Sequence, residues 1–313
     1  MPFQIRGTLT AAHPFLIVFL VVVDSGSRSA EFMEHYARRA IATIHQKYHE
    51  PLALDDLARS AMMSKFYFIR VFQRTTGVTP GRFLSAVRLH AAKPLLVHTS
   101  ASVADISAQV GYGSASTFSR RFTASVGLSP TEYRRIGRDG TGEYPRITPL
   151  AAESGPLGSV TGTARVLGAS RSPLHIGLFD SPLFQGQPAA WTRLDGGGPF
   201  RLTDVPPGTW YLHAATLSAR PSSDQWGDSP LLVGTVGPVR IGADDRTRVD
   251  VVLRQEDWTR PPVLLALPGF RSRPARPRAA DTACPADPYR GPAMTGYRTP
   301  RRRTAPDRRL VGI

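Results

Sequence analysis

Two arginines fifty residues apart, Arg70 and Arg120, are the side chains of this sequence best suited to recognition chemistry. A guanidinium fork matches O6 and N7 of guanine as a bidentate donor, so an arginine on the outer face of a helix can read a base edge. Around Arg70 the same face carries Lys65, Phe66, Ile69 and Gln73, with Arg74 close by. Phe66 and Ile69 suit the methyl groups of thymine. The alternative is that both belong to a core and that Arg70 is a solvated surface residue. Around Arg120 the outer face offers Ala115, Ser116, Thr117, Ser119 and Arg121. With the serines that open the two helices, Ser64 and Ser114, the candidate DNA contacts are Ser64, Lys65, Phe66, Ile69, Arg70, Arg74, Ser114, Ala115, Ser116, Thr117, Arg120 and Arg121.

Other chemistry has thinner support. His45 and His49 lie four apart, a helical spacing that can hold zinc, but no third ligand follows at a suitable interval. Two polar positions on an amphipathic helix is the ordinary reading. His175 and His213 each fall in a predicted strand with no visible partner. Cys284 is the single cysteine, which excludes a disulfide framework or a thiolate metal cluster within one chain. No nucleophile-elbow motif is present, and the expectation is a protein that is not an enzyme and holds neither cofactor nor metal.

The formal charge of +15 is unevenly distributed. Residues 31–140 carry fifteen Lys/Arg against eight acids, residues 141–270 eleven against twelve, and residues 271–313 eleven against three. A basic domain attracts polyanions because neutralised phosphates release condensed counterions. The near-neutral middle segment shows that arginine usage alone does not set the charge.

The elements that position the arginines come from an internal repeat. Phe72, Gly77-Val78-Thr79-Pro80 and Phe83 recur as Phe122, Gly127-Leu128-Ser129-Pro130 and Tyr133, at an offset of 50 residues. Upstream the repeat holds, with one extra residue in the second turn. In the first copy Leu54, Leu57, Ala58 and Ala61 follow helical spacing after Pro51, with Asp55 and Asp56 placed to suit the helix dipole. Met62-Met63 make the break, Ser64 caps a second helix, and Phe68, Val71 and Phe72 face inward. In the second copy Ser102 or Ala101 opens a short helix with Ile106 and Val110 inward. Gly111-Tyr112-Gly113 turn the chain, and Ser114 caps a helix that buries Phe118 and Phe122. Helix, tight turn, helix is helix-turn-helix grammar. Between the copies, Pro80 to about Leu96 forms a connecting helix with Phe83, Val87, Ala91 and Leu95 on one face; Pro94 should kink or end it about one turn early. At about 15 residues it is roughly 22 Å long. With the widths of the flanking units, that allows a separation near one DNA turn, about 34 Å.

Leu57 to Ser64, Arg70-Val71-Phe72, Arg88-Leu89, Ala92, Leu95-Leu96, Ile106, Val110-Gly111-Tyr112, Ser116, Phe118-Ser119-Arg120, Phe122, Gly127, Ser129-Pro130 and Tyr133-Arg134 together resemble the AraC/XylS DNA-binding domain over about a third of the chain. The resemblance implies a transcription regulator, placing Ala115, Ser116 and Arg120 toward bases and Thr117 and Arg121 nearer phosphates. It implies double-stranded DNA as partner, with RNA polymerase, a small-molecule effector and a second copy of the chain as further candidates, in a cytoplasmic protein without membrane contact. Met62 departs from the family's usual glycine, Ser107 from its usual alanine, and Pro94 interrupts the linking helix.

The fold expectation is multidomain: an all-α double helix-turn-helix domain of about seven helices over 31–137, a linker over 138–155, an all-β sandwich over 156–268, and a disordered Arg/Pro-rich tail over 269–313. Residues 1–30 form an apolar extension. Pro14 to Val23 is too short to span a bilayer and resembles a secretory h-region. A DNA reader follows directly, so a native start nearer Met33 is expected. In the second half, alternating runs at Ser159–Leu167, Leu174–Phe179, Ala190–Leu194, Pro199–Leu202, Thr209–Thr216, Leu231–Val236, Val239–Ile241 and Thr247–Leu253 indicate an antiparallel sandwich. Gly198 to Leu202 followed by Val205 to Leu212 resembles transthyretin-like and carboxypeptidase-regulatory-like sandwiches. Ligand sensing and self-association are both open for this domain. Its alternative is a carbohydrate-binding or hydrolytic module.

Overall fold

The computed structural model describes residues 35–139, 155–168, 170, 173–217 and 231–267. The expectations for residues 1–34, for most of the linker, for the tail and for Cys284 lie outside the described residues.

Among the described residues, seven helices come first: α1 over 35–47, α2 Leu54–Ser60, α3 Lys65–Thr76, α4 Pro80–His98, α5 Val103–Gln109, α6 Ala115–Val126 and α7 Pro130–Asp139. The repeat is literal in three dimensions. Both α3 and α6 have 12 residues and end at a left-handed glycine, Gly77 at φ 80° and Gly127 at φ 83°. Helices α4 and α7 then begin at Pro80 and Pro130, where a missing N–H costs nothing. Each unit packs an aromatic triad: Phe68–Phe72 (5.4 Å between centroids) and Phe72–Phe83 (5.5 Å) in the first, Phe118–Phe122 (5.5 Å) and Phe122–Tyr133 (5.6 Å) in the second.

Helix α4 does not stop before Pro94; it continues to His98. Proline removes one hydrogen bond and crowds the preceding turn, but here Ala91, Ala92, Lys93 and Leu96 are all buried around it, and packing overrides the local preference. At 19 residues α4 is about 28 Å long. It is buried nearly all round, the signature of a helix with partners on more than one side.

Eight strands follow among the described residues: β1 Gly158–Val166, β2 Leu174–Phe179, β3 Ala190–Leu194, β4 Gly198–Val205, β5 Gly208–Leu217, β6 Leu231–Ile241, β7 Arg246–Arg248 and β8 Val251–Gln255. They differ from the expected antiparallel sandwich. The pairing is one continuous path, β3-β2-β5-β6-β8-β1-β4, with β7 added to β1, and it curls into a near-barrel. Strand β1 runs parallel to both β7 and β8. The stretch expected as one strand over Thr247–Leu253 is divided. Val249 N–H donates to Thr161 O (2.9 Å), and the Asp250 carboxylate accepts from Thr163 N–H (2.7 Å), which replaces regular pairing at the break. Conversely, the two runs expected over Leu231–Val236 and Val239–Ile241 form the single strand β6.

The described helical and β residues lie in one compact unit and share apolar packing. Leu183, Leu264 and Ala266 belong to the same buried cluster as the helical core.

Candidate nucleic-acid interface

The turns into α3 and α6 are built the same way from different residues. Met62 N–H donates to Arg59 O and Met63 N–H to Ala58 O; Gly111 N–H donates to Ala108 O and Tyr112 N–H to Ser107 O, each bond 2.9 to 3.0 Å. Both pivots are left-handed, Met62 at φ 52° and Gly111 at φ 88°. Glycine takes this conformation without strain, whereas Met62 takes it at a cost. At Gly111 a Cβ would also lie 2.9 Å from Tyr48 O and 3.0 Å from the Arg88 guanidinium. Arg88 needs that space: its Nε donates to Tyr48 O (2.7 Å) and Nη2 to Glu50 O (2.8 Å), which ties the lead-in of α2 to α4. In the second unit Arg134 ties Leu96 O and Ala101 O in the same manner.

Capping is unequal. Ser102 accepts from Asp105 N–H (3.1 Å) while the Asp105 carboxylate accepts from Ser102 N–H (3.1 Å), a reciprocal box that opens α5 and holds the Asp105 carboxyl below its usual pKa. Ser114 accepts from Thr117 N–H (3.3 Å) at α6. Ser64 has the extended backbone of an N-cap at α3 without a side-chain cap bond.

Phe68, Val71 and Phe72 are buried, as are Phe118 and Phe122. Arg70 and Arg120 occupy the same position in helices that share one register, and both are exposed. Arg70 lies over the Tyr67 ring, 5.9 Å from its centroid. Arg120 rims a shallow groove lined by Val103, Ser119, Thr123, Pro130 and Thr131. Phe66 is 82% exposed, so its alternative place in a core does not hold, and Ile69 is half-buried. Lys65 meets Asp55 at 3.1 Å in an exposed pair that exchanges readily with solvent or a phosphate. Ser64, Arg74, Ser114 and Ser116 are exposed; Ala115 and Thr117 are half-buried at the start of α6. Arg121, also exposed, approaches Ser85 Oγ at 3.5 Å. The structure thus gathers the candidate residues on two equivalent helix faces.

The histidines serve elsewhere. His45 Nε2 bonds the Trp258 carbonyl (2.9 Å), and burial holds its pKa below the ordinary value, while His49 lies beyond the end of α1 beside Glu50. The pair therefore offers no shared zinc site, and among the described residues no group of three or more His, Cys, Asp or Glu could hold a metal ion. His213, which showed no partner in the sequence, bonds Thr235 Oγ1 through Nδ1 and Ser181 O through Nε2 (2.9 Å each). It stacks on Phe184 at 5.0 Å, and burial takes it down to about 4. His175 packs on Trp191 at 5.5 Å and is also held near 4, first by burial and then by Arg193. No helix among the described residues is long and apolar enough to cross a membrane.

Comparison with known proteins converges on the helical part. The profile of a helix-turn-helix domain family matches residues 57–136. The lactose operon transcription activator of Staphylococcus xylosus is 32% identical over 134 residues, covering 43% of this chain and 46% of that protein. The melibiose operon regulatory protein of Escherichia coli is 30% identical over 122 residues, covering 39% of each chain. A solved transcriptional regulator from Chromobacterium violaceum, described as containing an AraC-type DNA-binding domain, is 26% identical, covering 36% of this chain and 96% of that one, with a TM-score of 0.32. The chain spans less than half the length of these curated relatives. Duplicated units with matched outer faces define a double helix-turn-helix protein. Through residues 57–136 the chain is similar to the helix-turn-helix domains of AraC/XylS-type regulators.

Proposed function

We propose that the chain is a sequence-specific DNA-binding transcription regulator that inserts α3 and α6 into successive major grooves on one face of a duplex. The observation that carries this reading is the equivalence of Arg70 and Arg120: exposed, in one register, and each backed by a buried aromatic pair. Exposed Phe66 and half-buried Ile69 beside Arg70 supply apolar contacts suited to thymine methyls, while the small residues Ala115 and Ser116 leave Arg120 as the main discriminating group of the second helix. The names of the relatives, an operon activator and an operon regulator, support the same reading.

The β-domain has a role in ligand sensing or self-association by analogy of architecture. Effector, second copy and RNA polymerase belong to the proposal at that level. The hydrolytic alternative gains nothing from His175 and His213, which are buried on the outer face of the sheet against Trp191 and Phe184.

Selection of bound duplexes from a random pool by the full chain tests the reading. The expected product is a motif with two reading segments about one helical turn apart. A pool that stays random, or a single short site with no second segment, rejects it.

A further inference from the structure

We propose that the β-domain is a brace that sets the orientation of the two helix-turn-helix units relative to each other, so that the spacing the protein reads is held by β-domain segments as well as by α4. The inference goes beyond the DNA-binding reading and does not require it.

Two β-domain segments outside the strands, 181–186 and 257–267, touch both units. On the first unit, Arg82 at the start of α4 donates through Nη2 to Ser181 Oγ (2.8 Å), Pro182 packs 3.8 Å from the Cβ position of Gly77 at the end of α3, and the Trp258 carbonyl meets His45 of α1. On the second unit, Gly186 N–H donates to Ser125 O (3.0 Å) and Ala266 N–H to Val126 O (2.9 Å). Those carbonyls are among the last four of α6, which lack partners within their own helix, so the β-domain supplies the cap that α6 would otherwise take from water. Leu265 packs against Gly127.

The two segments are joined to each other and to the barrel. Leu264 and Leu265 N–H both reach Phe184 O (3.0 and 3.1 Å), and Ser181 O is held by His213. Between the units, midway along α4, Lys93 Nζ donates to Val263 O (3.1 Å) and His90 Nδ1 lies 3.3 Å from the same carbonyl. Lys93 and His90 are buried on a helix surface that faces the β-domain, and Glu256 supplies the opposing charge to Lys93. With the seam closed, Val263 O and Glu256 supply the partners that a buried lysine requires. The contacts fall on α1, on α4 and on the C-terminal ends of α3 and α6. The faces bearing Arg70 and Arg120 are exposed with the β-domain in place.

The test uses the full chain with Cys284→Ser, spin labels on Arg59→Cys in α2 and Ala108→Cys in α5, both exposed positions, and the seam variant Leu264→Asp. Leu264 is 0% exposed and lies in no strand, so a carboxylate there opens the seam while leaving the barrel pairing intact. Hydrogen exchange of the Gly186 and Ala266 amides reports the opening, and circular dichroism reports that helices and strands persist. The expected result is a narrow interspin distance distribution in the parent that broadens or splits when those amides exchange freely. With a duplex recovered by selection, one inserted base pair between the reading segments weakens the parent about tenfold or more, and the variant less. Should Leu264→Asp fail to fold, Lys93→Met serves as the second seam variant under the same readouts. An unchanged, narrow distribution in a folded variant whose seam amides exchange freely overturns the brace, whether or not the chain binds DNA.

Discussion

Substitution Met62→Gly should stabilise the protein, although it removes a large side chain. Met62 sits at φ 52° with its side chain 63% exposed, so little apolar burial is lost. The left-handed conformation costs a non-glycine residue about 1–2 kcal/mol. Glycine gives back about 0.5–1 kcal/mol through the greater freedom of its unfolded chain. The net gain is about 0.5–1 kcal/mol, which for a domain of this size raises the melting temperature by about 1–4 °C. The equivalent position of the second unit supplies the control. Gly111→Ala meets the same conformational cost at φ 88° and drives a methyl group to 2.9 Å from Tyr48 O and 3.0 Å from Arg88, threatening the two bonds Arg88 makes. Its expected cost is about 2–4 kcal/mol. Thermal and urea unfolding of the full chain, followed by helix signal, measures both. A less stable Met62→Gly, or a Gly111→Ala no worse than parent, would refute the claim that the two turns are one structure built from unequal residues.

Further outcomes follow from the same contacts. Ser102→Ala should lose about 1 kcal/mol because it breaks a reciprocal cap, while Ser64→Ala, which loses no side-chain cap bond, should change stability far less; unfolding midpoints compare them. Lys93→Met removes the Nζ bond to Val263 O and the charge that faces the buried Glu256 carboxyl, and should cost about 1–3 kcal/mol, with the added change Glu256→Gln recovering part of it. His175 and His213 are held near 4 when folded against 6.5 when unfolded, so the unfolded chain binds more protons between those values. Stability from this source is therefore complete above pH 6.5 and lost as pH falls toward 4. A melting profile of the parent should show that decline, and His213→Gln should flatten it.

The helical repeat was legible because its signals are local: a left-handed glycine at the end of each reading helix, a proline opening the next, aromatic residues at helical spacing. The outer faces followed from the inner ones, which is why Arg70 and Arg120 could be placed. Pro94 misled because the packing of Ala91, Ala92 and Leu96 around it is a property of the tertiary fold. The division of β7 from β8 depends on Asp250 meeting a backbone amide 87 residues away, and the parallel pairing of β1 depends on where distant strands arrive. The seam was missed for the same reason. Its only local hints were the polar residues His90 and Lys93 beside Leu89, Ala91 and Ala92 of α4, and the apolar run Val263 to Leu267 after the last strand.

The central claim is that two equivalent arginines read bases. It is tested most directly by measuring the affinity of Arg70→Ala and Arg120→Ala for a selected duplex and for an unrelated duplex at one salt concentration. Each substitution should weaken specific binding by about 1–3 kcal/mol, relax preference at its own segment of the site, and leave the unrelated duplex bound nearly as before. Equal losses on both duplexes, or none on either, would contradict the account.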